Sequence, residues 1–330
     1  MEKPRKRWRY GVNRWFILLF VILNIIAVRY YAPVLPHIQL PAENISKSPL
    51  FGNFYLTNTL IATIIADVIL ILIAIAVTRA VRSGELIPKG IPGAIEAILE
   101  GINNLTESTA GKWTKSIFPF FATITLLVLV VNWMELIPGV DSIGRIELAE
   151  HGGNPIEEVI PGVYTLIKPS SEAAAEVLDD GYILVPFVRV ASTDLNFTVS
   201  LALISVLMTQ VMGVRALGAS YFTKFLNVGA IFKRPVFGVI DFGVGLLELI
   251  SEISKILSFS FRLFGNIFAG SVLLFVIGTL IPVFVQSLFL GLEFFVGLIQ
   301  AVVFGMLTMV FMAQATQGHG ENQEGEESHA

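Results

Sequence analysis

The chain has 330 residues, of which 54% are apolar and 15% charged, with 28 glycines besides; soluble proteins run at roughly 45–50% apolar with glycine included and about 25% charged. That composition describes a polytopic membrane protein and outweighs the two soluble domains that length alone would allow. A formal net charge of -4 spread along the chain argues against a nucleic-acid partner, and zero cysteines exclude a disulfide framework, a haem attachment site and thiolate zinc or iron–sulfur centres.

A membrane span needs about 20 mainly apolar residues. The first apolar run, Trp15 to Val28, is shorter and follows Lys3, Arg5, Lys6, Arg7, Arg9 and Arg14, which fits a short first span or a signal-peptide core. No small-x-small cleavage site follows it, since the next residues are Arg29, Tyr30, Tyr31, Ala32 and Pro33, and an uncleaved span is the expectation. The runs Asn58 to Thr78, Ile117 to Ile137, Phe197 to Leu217, Val239 to Gly278 and Val283 to Met312 all reach spanning length. The fold class expected is therefore all-α and polytopic, with five or six transmembrane helices.

Between these runs the polar segments divide by charge. Arg79, Arg82, Lys89, Lys112, Lys115, Arg215, Lys224, Lys233 and Arg234 fall with the basic N-terminus on one side, and only Arg29, Lys47, Arg145, Lys168 and Arg189 on the other. The first side is therefore cytoplasmic. Residues Val81 to Asn104 place Glu85, Glu96 and Glu100 among Ile91, Ile95, Ile98, Leu99 and Ile102 at helical spacing, predicting an amphipathic helix on the cytoplasmic surface. The external loop, residues 139–190, is acidic and reads as a small surface cap or solvated connector. The tail, 313–330, is polar and acidic, reads as disordered, and its His319 and His329 read as solvated. The expected organisation is a basic N-terminal segment with a short span and linker (1–57), a membrane domain (58–312) and this tail.

Two runs are too long to stand upright. The run Val239 to Gly278, at about 1.5 Å per residue, would stretch about 60 Å against a hydrocarbon core of about 30 Å. It is either a hairpin of two spans or one steeply tilted helix, and no Gly-Pro or Asn-Gly turn signal falls at its middle.

Arg262 lies near the middle of that run, where a guanidinium cannot shed its charge and must face protein or water. At about 100° per residue, Lys255 falls about 20° from Arg262, Asn266 about 40°, and Glu248 about 40° on the other side. One polar stripe thus runs along this helix. Glu252 lies about 80° off the stripe, within reach of Glu248 and Lys255; it reads either as part of the stripe's chemistry or as a structural ion pair. The last run carries Glu293 and Gln300 seven residues apart on one face. Asn132 and Glu135 end the third run, and Asp194 with Asn196 opens the fourth. Acids therefore gather outside Arg262 (Glu135, Asp194, Glu293) and inside it (Glu248, Glu252), as two polar half-paths meeting at a fixed positive charge. Asp67, mid-span, has no partner that the sequence identifies.

The segment Ser260-Phe261-Arg262-Leu263-Phe264-Gly265-Asn266-Ile267-Phe268-Ala269-Gly270 resembles the signature of subunit a of F-type ATP synthases. Asn132-Trp133-Met134-Glu135-Leu136-Ile137-Pro138-Gly139, Asp194-Leu195-Asn196-Phe197-Thr198 and Gln300-Ala301-Val302-Val303-Phe304 match in order and spacing. The resemblance covers roughly residues 55 to 312. It implies a non-catalytic stator subunit without cofactor or metal, and the basic N-terminal span and long acidic external loop point to a bacterial plasma (inner) membrane. Its partners would be a rotor ring of subunit c, a peripheral-stalk subunit b and the whole ATP synthase complex. Arg262 would be the essential stator arginine with Gln300 close to it; Asn266, Glu293, Glu135 and Asn132 would line the external half-channel and Glu248 the cytoplasmic one. It further implies that the last two helices form a long, strongly tilted hairpin packed against the ring. Ser271 departs from the pattern, because some members carry there an ionisable residue paired with the one at Glu293. The rival reading, a secondary ion-coupled transporter, usually shows internal repeats, and none is found between the halves.

Overall fold

The computed structural model describes residues 10–30, 39–46, 48–49, 52, 54–82, 90–149, 153–167, 181–225, 235–281 and 284–317. Among them the helices are α1 (Tyr10–Tyr30), α2 (Asn58–Arg82), α3 (Ile91–Ala110), α4 (Thr114–Trp133), α5 (Leu195–Leu217), α6 (Pro235–Leu280) and α7 (Phe284–Ala315). Five stretches are long and apolar enough to cross a membrane: Asn58–Arg82, Pro92–Leu136, Leu195–Leu217, Phe242–Leu280 and Val285–Ala315. The protein is thus an all-α polytopic membrane protein. The first apolar run lies in α1, whose apolar stretch is shorter, at Trp15–Ala27.

The long fifth run is one helix. α6 continues without a break for 46 residues through Gly265 and Asn266, because no residue there carries a turn and the backbone of every position remains free to donate. Its length of about 69 Å is more than twice the hydrocarbon thickness, so it cannot stand upright within it.

The amphipathic helix lies later than its sequence pattern suggested. α2 runs on to Arg82, residues 83–89 with Glu85 and Lys89 lie outside the described residues, and α3 occupies Ile91–Ala110 instead of Val81–Asn104. Gly90, at φ 75°, and Pro92 in the first turn set the start, since proline is tolerated only where its missing N–H would be unbonded anyway. Gly111, at φ 50°, sets the end. Ile102, Thr106 and Ala110 make its buried stripe, with Glu96, Glu100 and Glu107 exposed.

The chain divides into two compact units. One comprises Leu40–Ile137, Arg189–Phe268 and Val296–Ala330. Its core joins Ile102 and Ala110 of α3, Ile117 and Phe121 of α4, Met212 of α5, and Met309, Met312 and Ala313 of α7. Helices in lipid gain no hydrophobic drive from pairing, so they associate by close packing at small residues. Gly305 is such a point: a Cβ there would overlap Thr125 Oγ1 and the Phe121 ring of α4.

The other unit comprises Met1–Gln39, Pro138–Val188 and Ala269–Phe295. Within residues 139–190 it holds, among the described residues, two small antiparallel sheets. β1 (Gly144–Leu148) pairs with β4 (Tyr182–Pro186), and β2 (Ile156–Ile160) with β3 (Val163–Leu166) across a turn at Pro161-Gly162. Gly144 and Gly181 allow the strands' close approach, since a Cβ on either would overlap facing backbone. Arg145 and Glu147 form an ion pair along β1.

Gly305→Ala should lower the thermal stability of the detergent-purified protein by about 1–3 kcal/mol, the usual cost of overpacking. An unchanged melting curve would mean that α4 and α7 are not in contact at Gly305.

Candidate functional site

Arg262 sits on α6 with its apolar back turned inward. Phe259, Leu263 and Ile267 are buried at 3%, 1% and 0% exposure, and Phe259 packs on Phe304 and Phe311 of α7, ring centroids 5.4 and 5.6 Å apart. Arg262 and Asn266 are exposed beside Leu257 and Phe261. Nη2 of Arg262 donates to Ser258 Oγ at 3.3 Å, and among the described residues no carboxylate pairs with it. Gln300, on α7, is half-buried next to the fully buried Ala301.

At the C-terminal end of α4 and the start of α5 the polar groups are gathered and bonded. Asn132, 2% exposed, donates through Nδ2 to the Gly297 carbonyl of α7 at 3.2 Å and accepts from Ser192 Oγ at 2.7 Å. Asp194 caps α5: its Oδ1 accepts from the Asn196 N–H at 2.9 Å, satisfying one otherwise orphaned donor. Its Oδ2 accepts from Thr59 Oγ1 of α2 at 2.9 Å. Both carboxylate oxygens of Asp194 are thus engaged in holding helices. Glu135 stands in the 3-10 turn Met134–Leu136 with Oε2 buried.

Glu293 belongs to the other compact unit, where it is 6% exposed. Its carboxyl fills the space that a side chain on Gly270 would occupy, a Cβ there lying 2.6 Å from its Cδ. Among the described residues no hydrogen-bond partner reaches its buried Oε1. Ser271, next to Gly270, is also buried.

Near the C-terminal end of α5, four side chains from three elements form one network. Tyr221, in the 3-10 segment Gly218–Lys224, donates its hydroxyl to Gln210 Oε1 of α5 at 2.8 Å. Gln210 Nε2 donates to Glu252 Oε2 of α6 at 3.1 Å, and Lys255 Nζ reaches Glu252 Oε1 at 2.8 Å. Lys255 also lies 4.5 Å from the centre of the Phe311 ring, within cation–π range. Gly213 leaves room for the Tyr221 ring, which a Cβ there would overlap. Burial first, then the charges of Glu252 and Glu248, push the Tyr221 phenol up from 10.0 to about 12. Glu248 is half-buried.

The structure therefore brings Asn132 and Asp194 into bonded clusters and joins Glu252 to Lys255. Asp67 is exposed on α2. Ser192, Thr59, Gln210 and Tyr221 were not singled out in the sequence. Only Gln210, an amide within a span, carried a signal that could have marked it. His319 and His329 lie outside the described residues, and among those described no group of three or more His, Asp or Glu side chains forms a metal site.

The fold and these groups define a multi-span helical membrane protein with acids, amides and Arg262 set within its spanning helices. Residues 60–313 match the family model described as ATP synthase A chain. The chain is similar to ATP synthase subunit a of Syntrophobacter fumaroxidans, 26% identical over 236 residues that cover 71% of this chain and 74% of that protein. It is also similar to ATP synthase subunit a of Campylobacter jejuni, 28% identical over 244 residues covering 72% and 83%. The chain belongs to the ATP synthase A chain family.

Because the folded state holds the Tyr221 proton more tightly, the stability that this proton confers is complete below pH about 10 and is lost as pH climbs toward about 12. Tyr221→Phe should remove this alkaline dependence while lowering stability at neutral pH by about 0.5–1.5 kcal/mol for the lost hydrogen bond. Parallel alkaline melting curves for the two proteins would contradict the burial of the phenol.

Proposed function

We propose that this chain is the stator subunit of an F-type ATP synthase membrane sector in a bacterial plasma membrane, itself non-catalytic. It supplies two offset proton half-channels to a rotor ring of subunit c, with Arg262 between them, and works within the whole complex beside a peripheral-stalk subunit b. The observation that carries this reading is the uncovered face of α6. Its back is packed on α7, while Arg262 and Asn266 face outward with Leu257 and Phe261. A bare guanidinium facing hydrocarbon is strongly unfavourable. A rotor presenting a carboxylate at that depth would resolve it.

Electrostatics then couples flow to rotation. A ring carboxylate about 4 Å from Arg262 gains about 4 kcal/mol at an effective dielectric of about 20, which lowers its pKa by about 3. It must release its proton into the inner path, toward Glu248, before it meets Arg262. It reloads from the outer path of Asn132, Glu135, Asp194, Asn266 and Glu293 only after it has passed. Each charge moved down about 100 mV yields about 2.3 kcal/mol, and the same geometry runs backwards when ATP drives the rotor. Gln300 and Asn266 hydrogen-bond water or the passing carboxyl without becoming charged.

In inverted vesicles holding the complex, Arg262→Ala should abolish ATP-driven proton pumping, while passive proton permeability of the stripped membrane sector persists or rises. Near-wild-type coupling in Arg262→Ala would make Arg262 a structural charge and overturn the reading.

A further inference from the structure

Arg262 and Lys255 are two turns apart on one stripe of α6, about 10 Å along the axis. Two cations so placed would each attract a rotor carboxylate, and the inner one would also oppose protons leaving by the inner path. The structure treats them differently. Arg262 is exposed, with a hydrogen bond to Ser258 and no carboxylate partner among the described residues. Lys255 is turned back onto Glu252 at 2.8 Å and onto the Phe311 ring.

Glu252 is built for that task. It is 6% exposed, and both of its oxygens already accept, Oε1 from Lys255 and Oε2 from Gln210. Gln210 is oriented in turn by the hydroxyl of Tyr221, which is 3% exposed and seated in the notch left by Gly213. An amide that accepts from a phenol at Oε1 must present its NH2 to the carboxylate, so the network fixes Gln210's orientation. Removing the charge of Glu252 would leave the half-buried Lys255 ammonium without this counter-ion.

We propose that Glu252 is the fixed counter-ion of Lys255 and carries no protons, with Gln210 and Tyr221 as positioning residues, so that the α6 stripe presents a single uncompensated positive charge, at Arg262. This rests on the stator reading and assigns a division of labour within it, Glu248 to proton release and Glu252 to charge compensation.

The test compares Glu252→Gln, Lys255→Met and the double variant E252Q/K255M in the assembled complex in inverted vesicles. Subunit content is measured alongside ATP-driven pumping. E252Q alone exposes the Lys255 charge and should lower pumping per assembled complex by about tenfold. The double variant removes the charge as well as its partner and should return pumping to within about twofold of wild type, as neutral replacement of a buried ion pair is tolerated. A proton carrier cannot be rescued by deleting its neighbour. Pumping in the double variant as low as in E252Q, unimpaired pumping in E252Q, or failure of the double variant to assemble would each overturn the proposal. If E252Q does not assemble, near-wild-type pumping by the double variant alone upholds it. Arg262→Ala in the same vesicles separates the two levels: retained coupling there removes the stator reading, whereas loss there without double-variant rescue removes only the counter-ion role.

Discussion

A guanidinium in the middle of a spanning helix cannot lower its cost by losing a proton, and the remainder of the site is organised around that constraint. α6 turns Phe259, Leu263 and Ile267 onto the protein and leaves Arg262 on the side that the chain does not cover. The second cation on the same stripe, Lys255, is neutralised by Glu252 and shielded by Phe311. The outcome is a helix face with one uncompensated positive charge, at Arg262. Such a face is unfavourable in lipid and favourable against a partner that offers a carboxylate at the same depth.

Holding that face in place requires rigid neighbours, and polar side chains serve this purpose as much as apolar ones. Asp194 both caps α5 and ties it to Thr59 of α2. Asn132 links α4 to the Gly297 carbonyl of α7 and to Ser192. Glycines 213 and 305 remove the side chains that would keep α5 from Tyr221 and α7 from α4. In a hydrocarbon environment each such bond replaces no water, so an unmade one is costly. Among the described residues, Oε1 of Glu293 and Oγ1 of Thr125 are buried side-chain oxygens without a hydrogen-bond partner.

Much of this was legible along the chain, for a physical reason. Apolar runs of spanning length mark helices because lipid permits little else, and Arg262 was conspicuous because nothing apolar can excuse it. The stripe of Glu248, Lys255, Arg262 and Asn266 followed from helical phase alone. Contacts between elements were less legible. Nothing along the chain places Tyr221 against Gln210, or Gly270 against Glu293, because those meetings depend on how helices dock. Whether Glu252 was an ion pair or part of the stripe stayed open until Gln210 was seen on its second oxygen. The acidic content of residues 139–190 masked two sheets, since glutamates such as Glu157 and Glu158 sit on strands whose apolar neighbours are also exposed. The start of α3 was misplaced because the periodic pattern ran through Gly90 and Pro92, where the backbone resets.

The central claim is that two aqueous half-paths open on opposite sides of the membrane and are separated at Arg262. A chain without native cysteine allows that to be tested with single cysteines placed at Glu248 and at Glu293 in the assembled complex. Each would be probed with a membrane-impermeant thiol reagent in right-side-out and in inverted vesicles. The account predicts labelling of Glu248→Cys from the cytoplasmic side alone and of Glu293→Cys from the external side alone. Labelling of both from one side would contradict it, because a single continuous path would let protons pass without turning the rotor.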